Sequence, residues 1–74
     1  MSKKDGHYVP LAVMKRLIKE QGGDRVAEDA AEFIRDIFEK NAIYLAQNAV
    51  KMSKVAGRKT VIKRDVQNAL KHFG

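Results

Sequence analysis

Few side chains in this sequence could do covalent or acid–base chemistry, and those few are scattered. The two histidines, His7 and His72, lie near opposite ends, the first in a polar tail and the second at a helix end. Ser2 and Ser53 have no His and carboxylate partners at a triad spacing, and there is no cysteine to act as a nucleophile or zinc ligand. Most carboxylates stand one helical turn from a basic residue, as Asp36 does from Lys40 and Glu39 from Arg35, the spacing of exposed helical ion pairs. No glycine-rich phosphate loop and no metal-ligand cluster is present. The sequence offers no catalytic residues, no metal site, no cofactor site and no small-molecule substrate site. It does not read as an enzyme.

The chemistry that remains is that of cations. Fifteen Lys and Arg against nine Asp and Glu leave a net charge of +6, with a pI near 9.8. Such an excess on 74 residues points to a polyanionic partner, nucleic acid first. The charge is segregated. Residues 1–19 carry five basic groups and one acid, residues 20–39 carry two and seven, and residues 40–74 carry eight and one. An acidic centre with two basic ends makes a localised basic surface only if the ends meet in space.

The size says how they would meet. A composition of 45% hydrophobic and 32% charged residues is that of a folded domain, and 74 residues allow only one. Below about 70–80 residues a core rarely supplies more than ~3–5 kcal/mol. No disulfide can add to it, so the expected staple is a second chain. The lack of cysteine fits a reducing intracellular compartment. No apolar run is long enough to span a membrane, and the polar start MSKKDGH has no signal-peptide core, so no membrane partner is expected.

Three elements position these charges. Leu11, Val13, Met14, Leu17 and Ile18 step by three and four behind Pro10, which predicts a short amphipathic helix over about 10–21. Gly22-Gly23 ends it, because glycine accepts the left-handed conformation of a helix C-terminus. From Ala27 to about Val55 there is no Pro or Gly. Ala27, Ala30, Ala31, Ile34, Ile37, Phe38, Leu45, Ala49 and Met52 follow the helical period, and Phe33, Ile43, Ala46 and Val50 widen the stripe. About 28 residues make a helix of roughly 42 Å. A 74-residue globule has a radius of gyration of only about 11 Å. The stripe therefore needs a partner along its length. Gly57 stops this helix, Arg58-Lys59-Thr60-Val61 forms a basic loop, and Val66, Ala69, Leu70 and Phe73 mark a third helix over about 63–73. The class is all-α, with residues 1–8 as a short polar N-terminal tail and 9–74 as the domain.

This order resembles the histone fold, and the archaeal-type minimal histones most closely. The resemblance covers residues 9–73 and rests on AGRKT at 56–60 followed by Asp65, on GGDRV at 22–26 and on VPLAVMKRLIK at 9–19. It implies a head-to-tail handshake dimer in which two long helices cross, with Ile34, Ile37, Phe38, Asn41 and Leu45 in the dimer core. The first loop of one chain then lies beside the second loop of the other, and the basic ends meet along one edge. The family pattern assigns Arg25 to an inward-facing minor groove, Thr60 to holding that arginine and meeting a phosphate, and Lys59 and Arg16 to phosphates. Lys15 and Lys19 assist. It assigns Arg58 and Asp65 to an ion pair bracing the second loop. The remaining lysines, Lys3, Lys4, Lys40, Lys51, Lys54, Lys63 and Lys71, read as solvated surface charges.

The implied function is sequence-nonspecific binding of double-stranded DNA, with bending, wrapping and compaction of the chromosome. The implied location is the chromosome or nucleoid in the cytoplasm. The implied partners are double-stranded DNA and a second copy or a paralogous histone, with higher oligomers on DNA. The alternative is a histone-fold subunit of a transcription-regulatory complex that acts mainly by protein pairing, against which the basic set Arg25, Lys59 and Thr60 weighs. A helix-turn-helix regulator needs a recognition helix of ordinary length, which the uninterrupted 27–55 stretch opposes.

Three features depart from the family pattern. Ala27 and Ile62 occupy helix-cap positions, each forgoing about 0.5–2 kcal/mol of capping, which Glu28 and Asp29 partly offset through the helix dipole. Asn41 and Asn48 interrupt the apolar arc; a buried Asn41 would need a partner, such as its own copy across a dimer axis. A dimer–dimer contact would use Met52, Val55, Asp65 and Asn68. There the family usually presents a histidine at the place of Val55 and an apolar residue at that of Asn68, so the dimer is the firmer expectation.

Overall fold

The computed structural model of the chain describes residues 6–71, and it contains three helices. They are α1 (Leu11–Glu20), α2 (Glu28–Val55) and α3 (Lys63–Lys71). The short–long–short order expected from the periodicity is the order observed, with no strand among the described residues. Ser2, Lys3, Lys4, His72 and Phe73 lie outside those residues. The chain divides into two compact units, Met1–Lys40 and Asn41–Gly74, and α2 runs through the boundary.

The first unit opens with residues that the sequence placed in a tail, and here the structure corrects the expectation. The Glu39 carboxylate, on α2, accepts the backbone N–H groups of Tyr8 at 2.6 Å and Val9 at 2.7 Å, and the His7 ring at 3.0 Å. His7 and Tyr8 are therefore held against the helix. Glu39 is almost fully buried and is not paired with Arg35. Arg35 instead donates from Nη1 to the Val9 carbonyl at 3.3 Å. The expected Asp36–Lys40 pair is likewise absent among the described residues. For Glu39 the physical reason is competition: a carboxylate facing three donors of a neighbouring segment gains more than from one solvated i,i+4 partner, which is worth a few tenths of a kcal/mol.

The C-terminal ends of α1 and α2 use the same closing device. At the end of α1, Gly23 N–H reaches the Ile18 carbonyl and Gly22 N–H the Lys19 carbonyl. At the end of α2, Arg58 N–H reaches Ser53 and Gly57 N–H reaches Lys54. These paired 6→1 and 5→2 bonds define a Schellman motif. It needs a left-handed residue at the turn, and Gly22 (φ 113°) and Gly57 (φ 75°) provide it.

The N-terminal ends differ. Pro10 precedes α1 in an extended conformation and has no side-chain cap bond. Ile62 has no capping oxygen, as expected, but its N–H is taken by the Asp65 carboxylate at 2.9 Å. That is the reciprocal half of a capping box, supplied from the first turn of α3.

Packing within a single chain is thin. Among the described residues, the buried apolar ones are Met14 and Ala31 in the first unit and Ala49 and Ala69 in the second, and no large side chain is fully buried. Phe33 is 69% exposed, Phe38 51% and Val55 89%, with Ile37, Ile43, Val50 and Leu70 also exposed. Of the expected dimer-core residues, Ile37, Phe38 and Asn41 are exposed, and Ile34 and Leu45 are half-buried. An apolar side chain left in water forgoes about 1.5–3 kcal/mol that full burial would return. These faces are what the size argument requires a second chain to cover.

Candidate nucleic-acid interface

In the first unit the candidate cations sit on α1 and in the connector after it. Lys15 and Arg16 are adjacent on α1, and each is in contact with an acid. Lys15 Nζ lies 3.5 Å from Glu28 Oε1, and Arg16 Nε lies 3.7 Å from Glu20 Oε2. Both pairs are solvent-exposed, so each contributes at most about 1 kcal/mol and yields readily to a competing phosphate. Lys19, at the end of α1, and Arg25, in the connector, are exposed and enter no ion pair among the described residues. Gly22-Gly23 makes the sharp exit from α1 that leads to Arg25. A Cβ on Gly23 would come within 3.3 Å of Ile18 Cγ2 and the Ile18 carbonyl, which requires that side chain to yield.

In the second unit the loop between α2 and α3 is a closed hydrogen-bond network. Arg58 donates from Nη1 and Nη2 to the two Asp65 carboxylate oxygens, both at 2.8 Å. This bidentate fork is the strongest pairing a guanidinium makes. Asp65 is buried, and the Arg58 hydrogen bonds, then the Ile62 N–H, hold its carboxyl down at about 2, against an ordinary 3.8. The same hydrogen bonds raise the Arg58 guanidinium above its usual range. Arg58 Nη1 also donates to the Thr60 carbonyl at 3.0 Å.

Ser53 completes the network from the last turn of α2. Its hydroxyl donates toward the Arg58 carbonyl at 3.0 Å and the Thr60 carbonyl at 3.1 Å. Within this frame Lys59 is exposed and enters no ion pair among the described residues, and the Thr60 side chain is at the surface.

Glu39 is the electrostatic counterpart in the first unit. Burial raises its carboxyl, but the N–H of Val9, the His7 ring and the N–H of Tyr8 outweigh that and leave it below the ordinary 4.5. Sequence reasoning missed both Glu39 and Ser53. Nothing in the spacing signals a contact across some thirty residues. A serine near a helix end normally bonds its own helix or water. The signal that was available for Ser53 is its position in the last turn of α2, next to the glycine turn.

The residues expected at a dimer–dimer contact are dispersed in character. Val55 projects into solvent, Met52 and Asn68 are half-buried, and Asp65 is committed within its own unit. Asn48 donates to the Tyr44 carbonyl one turn back, at 2.8 Å, which satisfies one of its polar groups without a partner chain. Among the described residues no group of three or more His, Asp or Glu could hold a metal ion, and no helix is long and apolar enough to cross a membrane.

Comparison with known proteins bears on the whole arrangement. The family of histone-like transcription factors (CBF/NF-Y) and archaeal histones matches residues 7–70. The chain is 41% identical over 63 residues to a subunit of archaeal histone HAN1 from Thermococcus zilligii, an alignment covering 85% of this chain and 94% of that protein. It is 36% identical over 63 residues to probable archaeal histone 3 of Methanocaldococcus jannaschii, with the same coverage of both.

Proposed function

Because the chain belongs to the family of histone-like transcription factors and archaeal histones, and has the all-α histone fold, we propose that it coats and bends duplex DNA without regard to sequence. The working unit is a head-to-tail handshake dimer. DNA binding is the function that the family and its archaeal histone relatives support. The observation that carries the finer reading is a division of labour among the loop cations. Arg58 is consumed by Asp65, whereas Arg25 and Lys59 are exposed and enter no ion pair among the described residues. Uncommitted cations at two loops suit a partner that presents a regular line of phosphates.

The mechanism follows from electrostatics. Duplex DNA carries one negative charge per about 1.7 Å of axis, and each lysine or arginine that meets a phosphate releases condensed counterions. Pairing two copies doubles the net charge of +6 to +12. In the handshake arrangement, Arg25 of one chain comes beside Lys59 and Thr60 of the other. Arg25 then enters the minor groove where it faces inward, and Thr60, Lys59, Arg16, Lys15 and Lys19 meet flanking phosphates. Phosphate contacts fix position and carry no base code, so the DNA is held and curved, not read. Repeated along a chromosome, this compacts it. The dimer is the largest unit proposed, since both Asp65 oxygens are engaged in its own loop and Val55 offers no hydrogen bond.

The test is the double substitution Arg25→Ala with Lys59→Ala. It weakens binding to every duplex sequence while the dimer stays folded by circular dichroism and sedimentation. Loss of the dimer instead assigns those residues to the fold, and wild-type protein that ignores DNA favours a role in protein pairing within a regulatory complex.

A further inference from the structure

We infer that Ser53 is a positioning residue for the DNA contact made by Lys59, a role that rests on the DNA-binding reading above. Ser53 is buried, with 2% of its surface exposed, and it sits in the last turn of α2. It grips the following loop twice. Its carbonyl accepts the Arg58 N–H at 3.0 Å, and its hydroxyl faces the Arg58 carbonyl at 3.0 Å and the Thr60 carbonyl at 3.1 Å.

A hydroxyl has one proton, so it is shared between these two oxygens or alternates between them. The two carbonyls belong to the residues on either side of Lys59. The Arg58 carbonyl lies in the peptide just before Lys59 and the Thr60 carbonyl in the peptide just after Thr60. The two bonds therefore bracket the Lys59–Thr60 segment and restrict its backbone, and with it the direction in which Lys59 leaves the surface. Thr60 is fixed a second time, because its carbonyl also accepts Arg58 Nη1 at 3.0 Å.

This is a different task from that of the Arg58–Asp65 pair. The ion pair ties the loop forward to α3, through Asp65 and the Ile62 N–H. Ser53 ties it backward to α2. A lysine on a loop held at both ends contacts a phosphate with little further ordering of backbone, and ordering is what binding otherwise has to supply. With the hydroxyl removed, the Arg58 and Thr60 carbonyls lose this partner, and the segment 58–60 keeps only the Arg58 N–H bond as its direct tie back to Ser53.

The experiment measures affinity for a random-sequence duplex against salt concentration, by fluorescence anisotropy. It uses the full-length protein as wild type, Ser53→Ala, Ser53→Thr, Lys59→Ala and the double Ser53→Ala/Lys59→Ala. The expected loss for Ser53→Ala is between about two- and ten-fold, the range that one ordinary hydrogen bond corresponds to. The slope of log affinity against log salt should shrink by about 0.9, the signature of one fewer phosphate engaged. Ser53→Thr, which keeps the hydroxyl, should restore both. In the Lys59→Ala background, Ser53→Ala should change neither.

A merely structural serine gives a different pattern: an unchanged salt slope, or a loss that adds in full to that of Lys59→Ala, or a Ser53→Ala chain that no longer folds. Any of these overturns the assignment. Wild-type protein that fails to bind DNA overturns the underlying reading as well. Wild-type binding with an unaffected Ser53→Ala overturns only the positioning role.

Discussion

Two carboxylates, Glu39 and Asp65, are buried among the described residues, and each is the centre of a hydrogen-bonded hub. The hubs differ in reach. Asp65 gathers Arg58 and the Ile62 N–H from seven and three residues away. Glu39 gathers His7, Tyr8 and Val9 from thirty or more residues upstream. A short closure lets one loop organise itself as soon as the helix ends form. A long one must wait until the segment before α1 meets α2, although the added entropy of closure grows only slowly with length. The contrast teaches what each hub is for. The near hub shapes a loop that presents Lys59. The far hub fixes where α1 begins, and so where Lys15, Arg16 and Lys19 are carried.

The strongest way to break this comparison is to remove the near hub. Asp65→Ala strips both partners from the Arg58 fork and the acceptor from Ile62. It should lower the thermal unfolding midpoint by on the order of 10 °C, read by circular dichroism. Glu39→Ala removes as many bonds but no bidentate guanidinium fork, so the midpoint should fall by about half as much. Amide exchange should accelerate first at Tyr8 and Val9. A larger fall for Glu39→Ala than for Asp65→Ala would reverse the ranking of the hubs.

Acid separates the hubs without mutation. Both carboxyls have folded-state values below their ordinary ones, so each contributes stability that is full above the ordinary value and is lost as pH falls through the folded one. For Asp65 that window runs from about 3.8 down to about 2. Glu39 begins to lose its contribution below its ordinary 4.5. A pH titration of stability should therefore decline from about pH 4 downward, and Asp65→Asn should flatten the lower part of that decline. The smallest effect belongs to the turn that leads into the near hub. Gly57→Ala meets nothing within 4 Å, so only its positive φ opposes the change, at about 1 kcal/mol in a denaturant titration.

Much of this architecture is legible from the residues alone, and the boundary of legibility is physical. Local signals carry well. Gly22 and Gly57 mark the helix exits because they take the left-handed turn, and the apolar period of Ala31, Ile34 and Phe38 marks α2. Arg58 and Asp65 lie close enough in sequence for a motif to hold them. What pairing across distance decides is not legible. Glu39 looked like the i,i+4 partner of Arg35, and only the folded chain shows it captured by His7, Tyr8 and Val9. Ile62 looked like an uncapped helix start, until Asp65 proved to supply the missing acceptor. At the interface, the cationic character of Arg25 and Lys59 is plain in the sequence, while the Ser53 hydroxyl that bonds the Arg58 and Thr60 carbonyls is visible only in three dimensions.

The most direct measurement is the affinity of the wild-type protein for random-sequence duplex DNA as salt is raised. A dimer that grips phosphates through loop cations should bind without regard to sequence. Its affinity should fall linearly on a log–log plot, with a slope of about −0.9 for each phosphate engaged. Affinity that does not change with salt, or no binding below about 200 mM salt, would contradict a phosphate-gripping dimer.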